Sequence, residues 1–204
     1  MNPNIEKIDA ARRACGFLTI AETLDLLKDN LLIDPFSTLI SSGISVGQNN
    51  IFYPGVTLQA TQGMQIVLGN NNTFHSGTSM SASEGNVTVG NGNQFGDGGF
   101  TAKANRSGAE IRIGDCGRFL NNPSIFGQTT LGDGTQLLGN IIVDSCILGD
   151  GGSFEEPDPD LRGGLLKGFG TARNLTVPRG NVIAGQGHFD ETNLLPQSHF
   201  HPKD

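Results

Sequence analysis

Four sets of side chains in this sequence are equipped for chemistry. The first is His75, in the segment Phe74-His75-Ser76-Gly77-Thr78. An imidazole titrates near neutrality, which suits a proton donor or acceptor. The alternative is a solvent-facing or interface His with no chemistry. The second set is Arg162, Lys167, Arg173 and Arg179, in a Gly-rich setting. Such cations can hold phosphates by charge-assisted bonds. They also suit the outward side of a last structural unit. The third is the run Glu155-Glu156-Pro157-Asp158-Pro159-Asp160. A metal site is one reading. With two prolines and no His nearby, a solvated excursion at about 153–161 is the reading preferred here, and no metal ligand is assigned. The fourth is Cys15, Cys116 and Cys146. An odd number without clustered spacing predicts reduced thiols.

The elements that position these groups come from a repeat. Val46-Gly47-Gln48-Asn49-Asn50-Ile51-Phe52, Leu68-Gly69-Asn70-Asn71-Asn72-Thr73-Phe74, Val89-Gly90-Asn91-Gly92-Asn93-Gln94-Phe95 and Ile113-Gly114-Asp115-Cys116-Gly117-Arg118-Phe119 align. Their starts lie 22, 21 and 24 residues apart. Within each, the apolar step is six: Val46, Phe52, Leu58; Leu68, Phe74, Met80; Val89, Phe95; and Ile113, Phe119, Ile125, Leu131, Leu137, Val143 without interruption. A fixed period of this length signals a solenoid. A step of six fits neither a helix nor sustained alternation. It fits a short strand plus a tight corner on three sides, a coil of 18 residues. The surplus falls in 60–63, 82–85 and 104–108, read as loops at one corner.

This register fixes directions. The stepped aliphatic and Phe residues point inward. Gly after the aliphatic is expected to supply a positive φ at the corner. Asn50, Asn72 and Asn93 are expected to stack as an amide ladder, with coils about 4.8 Å apart. Phe52, Phe74, Phe95 and Phe119 form a second column. Phe74 points in, so His75 points out. Cys116 and Cys146 each lie three places after an inward aliphatic and read as corner residues.

The pattern aliphatic-Gly-x-x-small-x, stepped by six, resembles the hexapeptide repeat of the left-handed parallel β-helix superfamily. The resemblance implies an all-β fold, a single-stranded left-handed parallel β-helix. The left hand runs against the usual rule for parallel crossovers and is carried by the resemblance alone. It also implies a homotrimer with the acyl donor in a groove between subunits. Residues 20–150, with Leu31-Leu32-Ile33-Asp34-Pro35 before the coils, are similar to the linker and acetyltransferase half of bifunctional N-acetylglucosamine-1-phosphate uridylyltransferase/glucosamine-1-phosphate acetyltransferase. The segment Phe74-His75-Ser76-Gly77-Thr78 is similar to the His-x-Gly-Thr segment of the acyltransferase that begins lipid A synthesis. His75 is then the general base that lets a sugar hydroxyl or amine attack an acyl thioester. Lys167, Arg173 and Arg179 are then the residues that bind the cofactor, acetyl-CoA or a related acyl thioester. Trimeric carbonic anhydrases share the superfamily, but no pair among His75, His188, His199 and His201 has the five-residue spacing of their zinc ligands.

The flanks complete the organisation. Residues 1–32 read as a helical N-terminal cap. A helix spans 4–15. A second starts after Thr19, whose Thr19-Ile20-Ala21-Glu22 is a capping-box pattern, and runs to about Asn30 with Ile20, Leu24 and Leu27 on one face. Residues 33–187 are the β-helix, with a last coil stepping through Leu165, Thr171, Val177 and Ile183. Residues 188–204 are a C-terminal tail docked on that coil. The net charge of −7 disfavours nucleic acid. No apolar run suits a membrane span and no signal-peptide core is present, so a cytoplasmic location is expected. Two functions are in view: an acyltransferase acting on a small-molecule acceptor, and a non-catalytic β-helix that binds or scaffolds. A carbonic anhydrase-like metalloprotein is the minor third.

Overall fold

The residues stepped by six converge on one apolar core. Phe52, Leu58, Leu68, Phe74, Met80, Val89, Phe95, Ile113, Phe119, Ile125, Leu131, Leu137 and Val143 are all buried in the computed structural model, which describes residues 3–201. The chain winds as a parallel β-solenoid with three faces. On the first face, Leu31–Leu32, Ile51–Phe52, Thr73–Phe74, Gln94–Phe95, Arg118–Leu120 and Gln136–Leu138 pair in that order and are followed by Leu165–Arg173. The second face runs from Leu39–Ile40 to Ile141–Asp144 and also ends on Leu165–Arg173, which bends across the corner between the two. The third face is a separate seven-stranded sheet from Ile44–Val46 to Thr176–Val177. The loops at 60–63, 82–85 and 104–108 all leave at the corner between the second and third faces.

Two columns run through the core as expected. The rings of Phe52, Phe74 and Phe95 stack at 4.9 and 5.1 Å, and Phe119 follows at 5.2 Å. The Asn72 side-chain nitrogen donates to Asn50 Oδ1 at 3.0 Å and to the Gly90 carbonyl at 2.9 Å. Its Oδ1 accepts from the Asn93 backbone at 2.9 Å and the Asn93 side chain at 3.0 Å. Every polar group of a fully buried amide is thus used, which is what burial demands. The ladder begins at Asn30, whose Oδ1 accepts from Asn50, and stops at Gly117, whose N–H closes on Asn93 Oδ1 at 2.7 Å. A side chain at Gly117 would collide with the Phe119 ring, so the fourth repeat departs from Asn here.

The corner glycines work differently from expectation. Gly47 does not have a positive φ; a Cβ there would stand 2.6 Å from the Gly69 carbonyl oxygen of the next coil. Close approach between coils selects Gly, and the left-handed backbone falls two residues later, at Asn49, Asn71, Gly92, Cys116 and Gly134. Asn tolerates that region better than other side-chain-bearing residues. Cys116 (φ 56°) is therefore a corner residue, whereas Cys146 is wholly buried and its neighbour Ser145 turns the corner (φ 57°). The coil is one residue shorter there: Thr130 pairs with Ile147 across a turn that starts at Gly127 in one coil and Ser145 in the next. A second five-residue step, from Ala172 to Val177 around Asn174 (φ 51°), shifts the last coil. Leu166 and Ala172, not Leu165 and Thr171, continue the inward columns of Leu137 and Val143.

Both ends of the solenoid are covered. Helices Pro3–Ala14 and Ile20–Leu26 form the N-terminal cap, and Thr19 makes the full capping box with Glu22. The second helix is shorter than expected, and its buried face is Ile20, Thr23 and Leu27; Leu24 is exposed. Arg12 is buried and donates to the carbonyls of Leu18 (2.6 Å), Pro35 (3.1 Å) and Thr38 (2.9 Å) and to Thr23 Oγ1 (2.9 Å). A guanidinium, with five donors, here takes up carbonyls that an open first coil leaves unpaired. At the other end, Asn181–His188 pairs along Leu165–Arg173, and Leu195–Pro196 adds an antiparallel strand from the tail. Gln197, buried, fastens the tail by donating to the Gly163 carbonyl at 2.7 Å.

Candidate functional site

The first face carries the chemistry. Each strand there presents one residue on either side of its inward Phe or Leu. One outward column runs through Thr73, Gln94, Arg118, Gln136, Leu165 and Val182. The other contains His75, then Gly96, Leu120, Leu138 and Lys167. His75 and Lys167 thus share one line along the solenoid, four coil steps apart. At about 4.8 Å per step this is about 19 Å.

His75 is half-buried, and its ring stacks on Tyr53 at 4.7 Å and 24°. That contact sets the ring plane. Gly96 matters on the other side: its φ is +102°, and a Cβ there would meet the His75 Cβ at 2.6 Å. Only Gly lets the next coil pass this close. Among the described residues no side chain hydrogen-bonds the imidazole. Beyond Gly96 the column is apolar, Leu120 then Leu138, before it reaches Lys167.

At the far end of this face the coil breaks its period and a hollow forms. The segment 151–164 leaves the solenoid, makes a short 3-10 helix at Pro159–Leu161, and returns through a bridge between Gly152 and Arg162. It is not simply solvated: Pro159 is buried, and Phe154 lies over the first face with Arg118 Cζ 4.8 Å from its ring centre. The tail, at Gln197 and Phe200, forms the opposite wall. The enclosed volume is about 310 Å³, and its floor is Gln136, Leu138, Leu165, Lys167 and Val182. A second hollow of about 320 Å³ lies across Phe154, beside Thr73, Gln94 and Glu155.

The expected cation cluster divides. Lys167 lies in the hollow with Arg162. Arg173 projects from the second face, where it pairs in register with Asp144. Arg179 sits at the corner after the third face, its Nε donating to the Leu161 carbonyl at 3.1 Å. The reason is geometric: a coil of about 18 residues sends positions six apart to successive faces. Arg118, Gln136, Phe154 and Phe200 were not singled out by sequence reasoning. Arg118 was visible only as the residue before the inward Phe119, and the two Phe residues lie outside the repeat.

The other groups are accounted for. His188 and His199 are exposed, His199 edge-on to Phe200, and His201 borders the hollow. Among the described residues no three His, Cys, Asp or Glu side chains gather as a metal-binding group. Burial raises the Cys146 thiol pKa. Burial, then the charges of Asp115, Asp133 and Glu155, raises that of Cys116, the reverse of a nucleophile's environment. No protein-family model matches the chain, and no curated protein matches it. What fold and face define together is a parallel β-solenoid with one chemically furnished face.

Proposed function

We propose that this chain is an acyltransferase-like protein of the hexapeptide-repeat superfamily, wound left-handed and assembled as a homotrimer. It moves an acetyl or acyl group from a coenzyme A-type thioester to a sugar or amine. The observation that carries this reading is the outward column from His75 across Gly96, Leu120 and Leu138 to Lys167. One end offers a proton acceptor, the middle an apolar track, the other end positive charge. A thioester carrier has the matching order: reactive carbonyl, flexible arm, phosphates. His75 takes the proton from the acceptor hydroxyl or amine as its oxygen or nitrogen attacks the thioester carbonyl. The tetrahedral adduct collapses, the C–S bond breaks, and the proton passes to the departing sulfur. Tyr53 holds the imidazole plane, and a neighbouring subunit supplies the second wall of the groove.

The test is release of free thiol from acetyl-CoA with a panel of amino sugars and sugar nucleotides. His75→Ala is expected to lower turnover by about 10²–10⁴-fold, the span of general-base catalysis, while acetyl-CoA still raises the melting temperature. Absence of any thermal shift with acetyl-CoA, or turnover indifferent to His75, overturns the reading. A second reading, a non-catalytic scaffold, draws on the lack, among the described residues, of any side chain hydrogen-bonded to the His75 imidazole and on exposed apolar residues such as Ile142, Ile147 and Phe169.

A further inference from the structure

The hollow between the 151–164 excursion, the first face and the tail has features that folding alone does not explain. Gln136 is only 5% exposed, and its side-chain amide, which keeps some contact with solvent, makes no hydrogen bond among the described residues. Arg118 Nε is buried and also has no partner. Neither Arg118 nor Lys167 forms an ion pair among the described residues, and Arg162 spends only its Nε, on the Glu156 carbonyl at 2.7 Å. So three cations border one hollow in a chain of net charge −7, and among the described residues no carboxylate lines it. Buried polar groups are almost always satisfied. Leaving a donor unpaired costs stability that an incoming acceptor would restore.

We infer that this hollow is a binding site for a small phosphate monoester, seated by Arg118, Arg162 and Lys167 and oriented by the Gln136 amide. The charge count favours a phosphate near −2 over a carboxylate. Guanidinium forks match phosphate oxygens in pairs. Arg118 is pre-aimed, because Phe154 stacks on its guanidinium and removes rotamer freedom. The volume of about 310 Å³ suits a small molecule and exceeds what a bare ion needs. The ester's carbon portion meets Leu138, Leu165 and Phe200. The site does not depend on His75 acting as a base, and it is built by segments outside the repeat.

The experiment is isothermal calorimetry of the full chain with inorganic phosphate, glycerol phosphate, AMP and, as control, acetate. The expected order is AMP and glycerol phosphate tighter than inorganic phosphate, with acetate weakest. AMP tighter than glycerol phosphate assigns a nucleotide; the reverse assigns a ring-free ester. Arg118→Gln and Arg162→Gln are each expected to weaken binding about tenfold or more. Gln136→Leu separates binding from folding. Because the amide is unpartnered in the free protein, this near-isosteric change leaves or raises the melting temperature while weakening the ester about fivefold or more. The inference is overturned if none of the phosphates binds at 10 mM (about −2.7 kcal/mol), if acetate binds as well as phosphate, or if Gln136→Leu lowers the melting temperature with affinity unchanged. Phosphate-ester binding by a chain whose melting temperature does not move with acetyl-CoA supports this site while the transferase reading fails, which keeps the two results separate.

Discussion

Asn72→Leu is the sharpest test of how the solenoid is held together. The substitution keeps the branching and heavy-atom count, adds some bulk, and removes an amide that makes four hydrogen bonds in a fully buried position. Three groups lose their partner: the Gly90 carbonyl, the Asn93 N–H, and one Asn93 side-chain proton. Asn50 Oδ1 is spared, since the backbone N–H of residue 72 still reaches it at 2.8 Å. At about 1–3 kcal/mol per orphaned group the three groups cost about 3–9 kcal/mol, and with about 1–2 kcal/mol returned by apolar burial the net loss is about 1–8 kcal/mol. Natural domains hold about 5–15 kcal/mol in all, so this is a large share. Urea unfolding followed by circular dichroism reads it as a lower midpoint at unchanged slope. The partner variant Asn93→Leu orphans the Gly114 carbonyl and the Gly117 N–H. The double variant removes the stranded Asn93 side-chain proton along with its owner, so it should cost about 1–3 kcal/mol less than the sum. A single-site loss below about 1 kcal/mol, or strict additivity, would refute the satisfied-ladder argument.

Three further outcomes follow from the same geometry. Arg12→Met leaves the Leu18, Pro35 and Thr38 carbonyls without their donor and should cost about 2–4 kcal/mol, with faster amide exchange in helix Pro3–Ala14. Asp144 is opposed first by burial, but bonds from Arg106 and Ser145 and the charges of Arg106 and Arg173 outweigh it and hold its carboxyl below the usual range. A depressed carboxylate stabilises above its unfolded pKa, about 3.9, and loses that contribution as pH falls through the folded value. Asp144→Asn should therefore lower stability at pH 7 by under about 1 kcal/mol, because Arg106 is half exposed, and the gap from wild type should close below about pH 4. In a Cys15→Ser background, exposed Cys116 should alkylate more slowly at pH 8 than a free cysteine peptide, because its thiol is raised; equal rates would contradict that environment.

The coil and its core were legible because period six admits few alternatives. Once Phe74 is inward, the Phe and Asn columns and the outward aim of His75 follow. The reason for the Gly after each aliphatic was not legible, since contact with Gly69 one coil away is invisible in a single row. The one-residue shortening near Ser145 is legible as the five-residue step from Val143 to Leu148, but the burial of Cys146 that goes with it was not, nor was the second five-residue step, Ala172 to Val177 around Asn174, that sets Leu166 and Ala172 inward. Sequence proximity suggested that Lys167, Arg173 and Arg179 form one patch, but a solenoid makes neighbours of residues about 18 apart. Arg118 and Gln136 are such neighbours, and the 151–164 excursion stretches the next step, from Gln136 to Leu165. Phe154 and Phe200 belong to no period, so no periodicity argument could place them.

This contrast locates where function can reside in such a fold. Inside the regular coils every buried amide is paired, from Asn30 through Asn93 to the Gly117 N–H. A satisfied ladder has nothing left to offer a ligand. The buried, unpartnered Arg118 Nε and the Gln136 amide that lines the hollow lie where the period breaks, under the 151–164 excursion and the returning tail. The excursion adds Phe154, and the tail adds Phe200 while Gln197 pins it to the Gly163 carbonyl. The repeat supplies a rigid floor on which Gln136 and Lys167 cannot easily shift, and the irregular segments supply walls. Releasing the tail by Gln197→Ala should therefore weaken a phosphate monoester in the hollow while leaving the Phe and Asn columns intact.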